Sequence, residues 1–263
     1  MKRLLNNIKA AFAMFSRIPV PGADWSEDNL RLMLCFFPWI GIVIGAVCIA
    51  AAWAGRRAGL EPVFCGAILT LVPVVITGGI HLDGLLDTAD ALNSCQEKEQ
   101  RLRILKDPHT GAFAIIHAGC YFVLQLGAFS QLSSHSKGML LAGLTFILSR
   151  SWSGMGVLTL PKASSEGTAA RFSRESSTGV VRMVLTVYII ILSAAMSGLA
   201  PVMGTAGWLT ALLVYIWYRR KALLYFGGTT GDLSGYFLCT CEMMVTAVLA
   251  VCTAADPGVY GWP

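Results

Sequence analysis

Charge is what this sequence has least of. Only 13% of its 263 residues are Asp, Glu, Lys or Arg, where a soluble domain carries about 25%. An ordinary water-soluble enzyme is excluded on that ground. Several common chemical signatures are also missing: there is no dinucleotide fingerprint, no Walker lysine, no Gly-x-Ser-x-Gly elbow and no heme-attachment motif. Nor is there a disulfide framework. Six of the eight cysteines (Cys35, Cys48, Cys65, Cys120, Cys239 and Cys252) lie in or beside apolar runs, where cysteine acts as a small hydrophobe. Cys239 and Cys241 form too isolated a pair to suggest zinc. A cleavable signal peptide is not evident either, because Asn6, Asn7 and Lys9 interrupt the first apolar stretch. Residues 1–30 read instead as an interfacial segment, with Phe12, Met14 and Phe15 turned inward and Lys9 and Arg17 outward.

What the sequence does have is apolar length. Hydrophobic residues make up 55% of the chain. Runs at 32–54, 62–80, 112–132, 138–160, 183–202, 206–218 and 233–252 approach or reach the roughly 20 residues that a membrane-crossing helix needs. The expected fold is all-α, a polytopic integral membrane bundle of about seven transmembrane helices forming one domain over 1–263. Basic residues gather on the cytoplasmic side of membrane proteins. With seven crossings, sixteen of the 20 lysines and arginines fall on one side, in the N-terminal arm and in the segments 81–110, 162–182 and 219–232. The reading is a bacterial cytoplasmic membrane protein whose N-terminus and working face are cytoplasmic and whose C-terminus is external.

The unusual polar segments all fall on that face. "GIHLDGLLDTADAL" carries Asp83, Asp87 and Asp90, which share a helical sector of about 60°. Carboxylates on one face repel each other, more strongly near lipid, and a divalent cation turns that repulsion into coordination. Oxygen donors without cysteine favour Mg2+, Mn2+ or Ca2+ over zinc. Leu82, Leu85, Leu86, Ala89 and Leu92 cover the rest of the helix, so it packs and aims its acidic face into a specific place. His81 is a candidate base, ligand or carboxylate partner.

Complementary charge follows in "RLRILKDPHTGAF", with Lys106, Thr110 and Gly111 as phosphate candidates and Thr110 also a possible helix cap. Arg150 lies within a span, where ionisable residues face the interior and carry function. "GGTTGDLSG" has the character of a phosphate cradle, with Gly228, Thr230 and Gly231 leading to Asp232. Glu242, deep in the last span, is either an arginine's partner or a structural hydrogen-bonder. Metal, carboxylates and cations together suit diphosphate chemistry.

The blocks "GGIHLDGLLDTADAL" and "GGTTGDLSG", with "FSRIPVP", "FPWIGIVIGA", "ILKDPHTGAFA", Ser149-Arg150 and Glu166-Gly167, resemble the cobalamin synthase family of adenosylcobinamide-GDP ribazoletransferases over nearly the whole chain. The resemblance implies that a ribose hydroxyl of α-ribazole, or of its 5′-phosphate, attacks the cobinamide-side phosphorus of adenosylcobinamide-GDP with Mg2+ present. GMP leaves, and adenosylcobalamin or its 5′-phosphate forms. It further implies Asp83, Asp87, Asp90 and Asp232 as metal ligands, with Asp90, Asp232 or His81 handling the hydroxyl proton. Lys106, Thr110, Gly111, Arg150, Glu166, Arg171, Gly228, Thr230 and Gly231 are the implied substrate-binding residues. Expected partners are the two substrates and the lipid bilayer, with other cobalamin assembly enzymes as neighbours and no nucleic acid. Two positions depart from the family pattern. "KASSEG" lacks an arginine before the Glu-Gly pair, leaving Lys162 or Arg171 to substitute, and Cys239 stands where an acidic residue is usual.

Two other functions use some of the same features. A different membrane transferase acting on a diphosphate would also carry helical aspartates, at other spacings. A cation-coupled transporter would line a path through mid-membrane, whereas here the carboxylates collect on one side.

Overall fold

Ten α-helices and no strand make up the described residues, 2–26, 30–164 and 178–255, of the computed structural model. They are α1 (Lys2–Phe15), α2 (Phe37–Arg57), α3 (Pro62–Thr77), α4 (Ile80–Asn93), α5 (Lys98–Ile104), α6 (Ala112–Leu132), α7 (Ser136–Thr159), α8 (Thr178–Leu199), α9 (Pro201–Lys221) and α10 (Gly231–Ala255). Proline opens α2, α3 and α9, where its fixed φ suits the first turn and its missing N–H costs nothing.

Among the described residues five stretches are long and apolar enough to cross a membrane: Met33–Arg57, Ala112–Leu132, Thr178–Leu199, Pro201–Phe226 and Gly231–Ala255. Their outward side chains are apolar, with Val123, Val202 and Val251 between 69% and 82% exposed. Water would disfavour such a surface and lipid accepts it. The chain is a multi-pass membrane protein. At about 36 Å from its 24 residues, α7 is equally long. It is more polar because it runs through the centre of the bundle, where Ser149, Arg150, Ser151 and Ser153 are buried among its neighbours.

The run 62–80 is not the straight crossing its hydropathy suggests. Helix α3 stops at Thr77, Gly78 and Gly79 both adopt left-handed backbone angles (φ +67° and +80°), and α4 leaves at 96°. Two consecutive residues at positive φ are feasible for glycine and strained for others. The acidic helix therefore turns across one end of the bundle.

At that end α1 also docks. Its buried face is Asn7, Ala10 and Ala11, and Asn7 accepts a hydrogen bond from the Leu32 amide at 2.8 Å. Phe12, Met14 and Phe15 are half-buried against protein, while Leu4 and Leu5 are left exposed for lipid. The amphipathic arm is thus held to the bundle by its small residues.

Candidate active site

The site forms where α4 crosses the first turns of α10. Gly84 and Gly235 allow the crossing. A Cβ on Gly84 would lie 2.6 Å from the carbonyl oxygen of Asp232, and one on Gly235 would lie 2.9 Å from that of His81. The two helices meet backbone to backbone, as small residues permit in membrane bundles. That contact carries Asp232, 142 or more residues away in sequence from the first acidic block, to the side of Asp83 and Asp87. Asp87 lies in the fields of Asp83, Asp232 and Asp90. Among the described residues no three His, Cys, Asp or Glu side chains form a ready-made metal cage. The donors nevertheless fit Mg2+, which takes one or two carboxylates and fills its remaining positions with water and substrate phosphate oxygens.

Asp90 has a different local environment from its two neighbours. Its Oδ2 accepts the Gly111 amide at 2.6 Å and its Oδ1 the Ala114 amide at 2.9 Å. It caps α6 from another helix, at the positive end of that helix's dipole. Thr110 is exposed and makes no capping bond, so the cap expected from it comes from Asp90. Lys106 is exposed on the same connection. Nearby, the backbone and ring of His109 both bond Asp107 and hold its carboxyl below the usual range.

Arg150 does not reach toward this surface. It is fully buried, with Nη1 donating to Glu242 Oε1 at 2.7 Å and to the Phe146 carbonyl at 2.8 Å, and Ser149 adds a bond to the same carboxylate oxygen. Of the two readings of Glu242, partner to an arginine is the one seen. The guanidinium expected to contact phosphate holds this carboxylate through Nη1.

The glycine- and threonine-rich loop is largely structural. Gly228 packs against Pro161–Ala163, with Thr229 and Lys162 paired as neighbouring extended strands would be. Thr229 is buried and bonded to the Tyr218 hydroxyl at 2.6 Å. Thr230 caps α10 by accepting the Leu233 amide at 3.1 Å. Gly231 faces open space and borders the site. Lys162 folds back onto the carbonyls of Val157 and Leu160, capping α7, and burial holds its ammonium below the usual lysine range. It is engaged there and not free to replace a phosphate-binding arginine. Glu166 and Arg171 lie outside the described residues.

Two cavities open onto the acidic crossing. A wide cleft of about 600 Å³ is bordered by Arg17, Thr77, Gly79, Leu82 and Asp83. A narrower pocket of about 150 Å³ is bordered by Phe15, Phe37, His81, Ser153 and Asp232. Met14, Ile80 and Asp83 belong to both. The His81 ring lies 6.4 Å from Phe15, nearly parallel at 17°, and 5.7 Å from Phe37. Its Nδ1 is buried without a hydrogen-bond partner among the described residues. Arg17 is a residue whose place sequence reasoning missed. Expected as an outward charge of the arm, it is exposed, and it also bonds through its amide to the Ile76 carbonyl at 2.8 Å, lays its side chain over Gly78 and supplies the cleft's cation.

A helical membrane bundle in which Asp83 of one helix borders a wide cleft and Asp232 of another borders the adjoining pocket defines a membrane enzyme that handles charged substrates at one end of its helices. The chain matches the cobalamin-5-phosphate synthase family over residues 7–250 and belongs to that family. It is 44% identical over 257 residues to adenosylcobinamide-GDP ribazoletransferase of Lachnoclostridium phytofermentans, covering 98% of this chain and 97% of that one. It is 31% identical to the protein of the same name from Pseudomonas aeruginosa, covering 95% and 100%, and 29% identical to one from Clostridium botulinum strain Alaska E43, covering 93% and 96%. No solved structure matches.

Proposed function

We propose that this protein transfers the adenosylcobinamide phosphoryl group from adenosylcobinamide-GDP to a ribose hydroxyl of α-ribazole or its 5′-phosphate. The acceptor oxygen forms a bond to the cobinamide-side phosphorus, and the bond from that phosphorus to the GMP oxygen breaks. The hydroxyl proton passes to a carboxylate, GMP leaves, and adenosylcobalamin or its 5′-phosphate results. The observation that carries this reading is the glycine-mediated crossing that sets Asp232 near Asp83 and Asp87, with Asp83 bordering both cavities and Asp232 the narrow one.

Asp83 and Asp87 would hold Mg2+, which when bound neutralises charge on the diphosphate's non-bridging oxygens. Asp232, bordering the narrow pocket, accepts the proton of the attacking hydroxyl. Arg17 offers its guanidinium to the diphosphate across the cleft from Asp83. The excess of basic residues around this end supports its placement at the cytoplasmic face of a bacterial inner membrane. The intramembrane carboxylate Glu242 is locked to Arg150, which leaves a transporter reading without an available mid-membrane acid.

The test is to supply purified protein in lipid vesicles with adenosylcobinamide-GDP, α-ribazole and Mg2+ and to quantify GMP. Wild type should release GMP with formation of the joined corrinoid, and Asp83→Asn should not. Absence of GMP from folded wild type at all lipid and metal compositions would count against the assignment.

A further inference from the structure

The two cavities differ in size and lining, and the difference assigns their occupants. This inference rests on the transferase reading above. The reaction joins a very large substrate, bearing a corrin macrocycle, a diphosphate and guanosine, to a small one consisting of a ribose and a planar heterocyclic base. The narrow pocket cannot admit the macrocycle. It is walled by apolar side chains of four elements, Phe15 of α1, Leu34 of the short 3-10 turn Met33–Cys35, Phe37 at the start of α2 and Val157 of α7, with the His81 ring completing the aromatic side. Phe15 and Phe37 have ring centroids 4.4 Å apart. Such a lining suits the faces and edges of a flat aromatic ring. Its polar side chains are His81, Ser153, Ser234, Asp83 and Asp232. A lipid chain would leave these without partners, whereas a ribose has hydroxyls for them.

We propose that the pocket bounded by Phe15, Leu34, Phe37 and Val157 receives the base of the acceptor nucleoside and sets its size limit, with the ribose directed at Asp83 and Asp232. The diphosphate substrate then occupies the wide cleft on the other side of Met14 and Ile80. Both reacting groups meet at Asp83, the charged residue common to the two cavities. Val157 and Leu34 thereby act as specificity-determining residues, without contact to the reacting atoms.

Two variants in the full-length protein in vesicles test the assignment, with α-ribosides of a single-ring imidazole, the natural two-ring base and a three-ring naphthimidazole as acceptors. Val157→Phe narrows the pocket. It should raise KM for α-ribazole about tenfold or more, change KM for the single-ring riboside by less than about threefold, and leave KM for adenosylcobinamide-GDP unaltered. Leu34→Ala widens the pocket and should improve kcat/KM for the three-ring riboside relative to α-ribazole by about tenfold. If Val157→Phe instead raises KM for the diphosphate substrate, or impairs all three acceptors equally, the assignment is overturned. Should Val157→Phe fail to fold by size-exclusion, the Leu34→Ala arm decides alone, and an unchanged acceptor ratio there overturns it. Wild-type protein that releases no GMP from any acceptor would defeat the transferase reading itself, a different outcome from altered acceptor selection.

Discussion

Arg150 and Glu242 face each other across the α7–α10 interface with Nη1 and Oε1 2.7 Å apart and both side chains shut away from solvent. The chain separation of 92 residues makes this a tie between distant parts of the bundle. Removing one member of a buried pair strands the other in low dielectric, at a cost of about 3–5 kcal/mol. Glu242→Ala should therefore lower the thermal midpoint of the detergent-solubilised protein sharply, and Glu242→Gln less so because it keeps an acceptor. Arg150→Met with Glu242→Leu should recover most of the loss and retain turnover. A midpoint unchanged in Glu242→Ala would show that the pair contributes no stability.

Asp90 gives a second prediction, because its carboxylate holds two amides at the start of α6. Loss of a helix cap costs about 0.5–2 kcal/mol. Asp90→Ala should destabilise by that order, and Asp90→Asn by less, since one acceptor oxygen remains. Both should keep measurable GMP release when corrected for folded protein. Abolition of turnover in fully folded Asp90→Asn would return Asp90 to the reacting centre.

These two cases show how much the sequence disclosed. Apolar runs are local properties, so the membrane helices and the amphipathic acidic helix could be read directly. The mutual repulsion of Asp83 and Asp87 also follows from their spacing on α4. Spacing alone grouped Asp90 with them, because a cap supplied by a helix 21 residues away depends on the path of the intervening chain. The unbroken run at 62–80 concealed the bend, since hydropathy carries no information about two positive φ angles. Arg17 was visible inside "FSRIPVP", but its placement over Gly78 arises from the docking of α1, a tertiary event.

The crossing of α4 and α10 makes a third prediction. A side chain at Gly84 would meet the backbone of Asp232, which has no rotamer by which to move aside. Gly84→Val should force the helices apart at a cost of about 1–3 kcal/mol. Turnover should fall much further than stability, because the aspartates are displaced from one another. Fluorescence size-exclusion and GMP release measured on the same preparation separate the two effects. Equal turnover per folded molecule would show that the close approach is not needed.

The proposed ion site makes a fourth prediction, metal dependence. Chelation by EDTA should stop GMP release, and added Mg2+ should restore it. Asp83→Asn and Asp87→Asn each remove a charged oxygen ligand and should raise the Mg2+ concentration required or abolish turnover, with membrane folding preserved. Full activity of both variants at low Mg2+ would remove these residues from the proposed ion site.

The double-glycine bend has one further consequence. The 16 residues of α3 rise only about 24 Å, short of the roughly 30 Å hydrocarbon layer, and the chain then turns sideways. The first carboxylate of the acidic helix, Asp83, consequently borders the wide cleft beside the bend, at the end of a helix too short to cross by itself and not in the middle of a span.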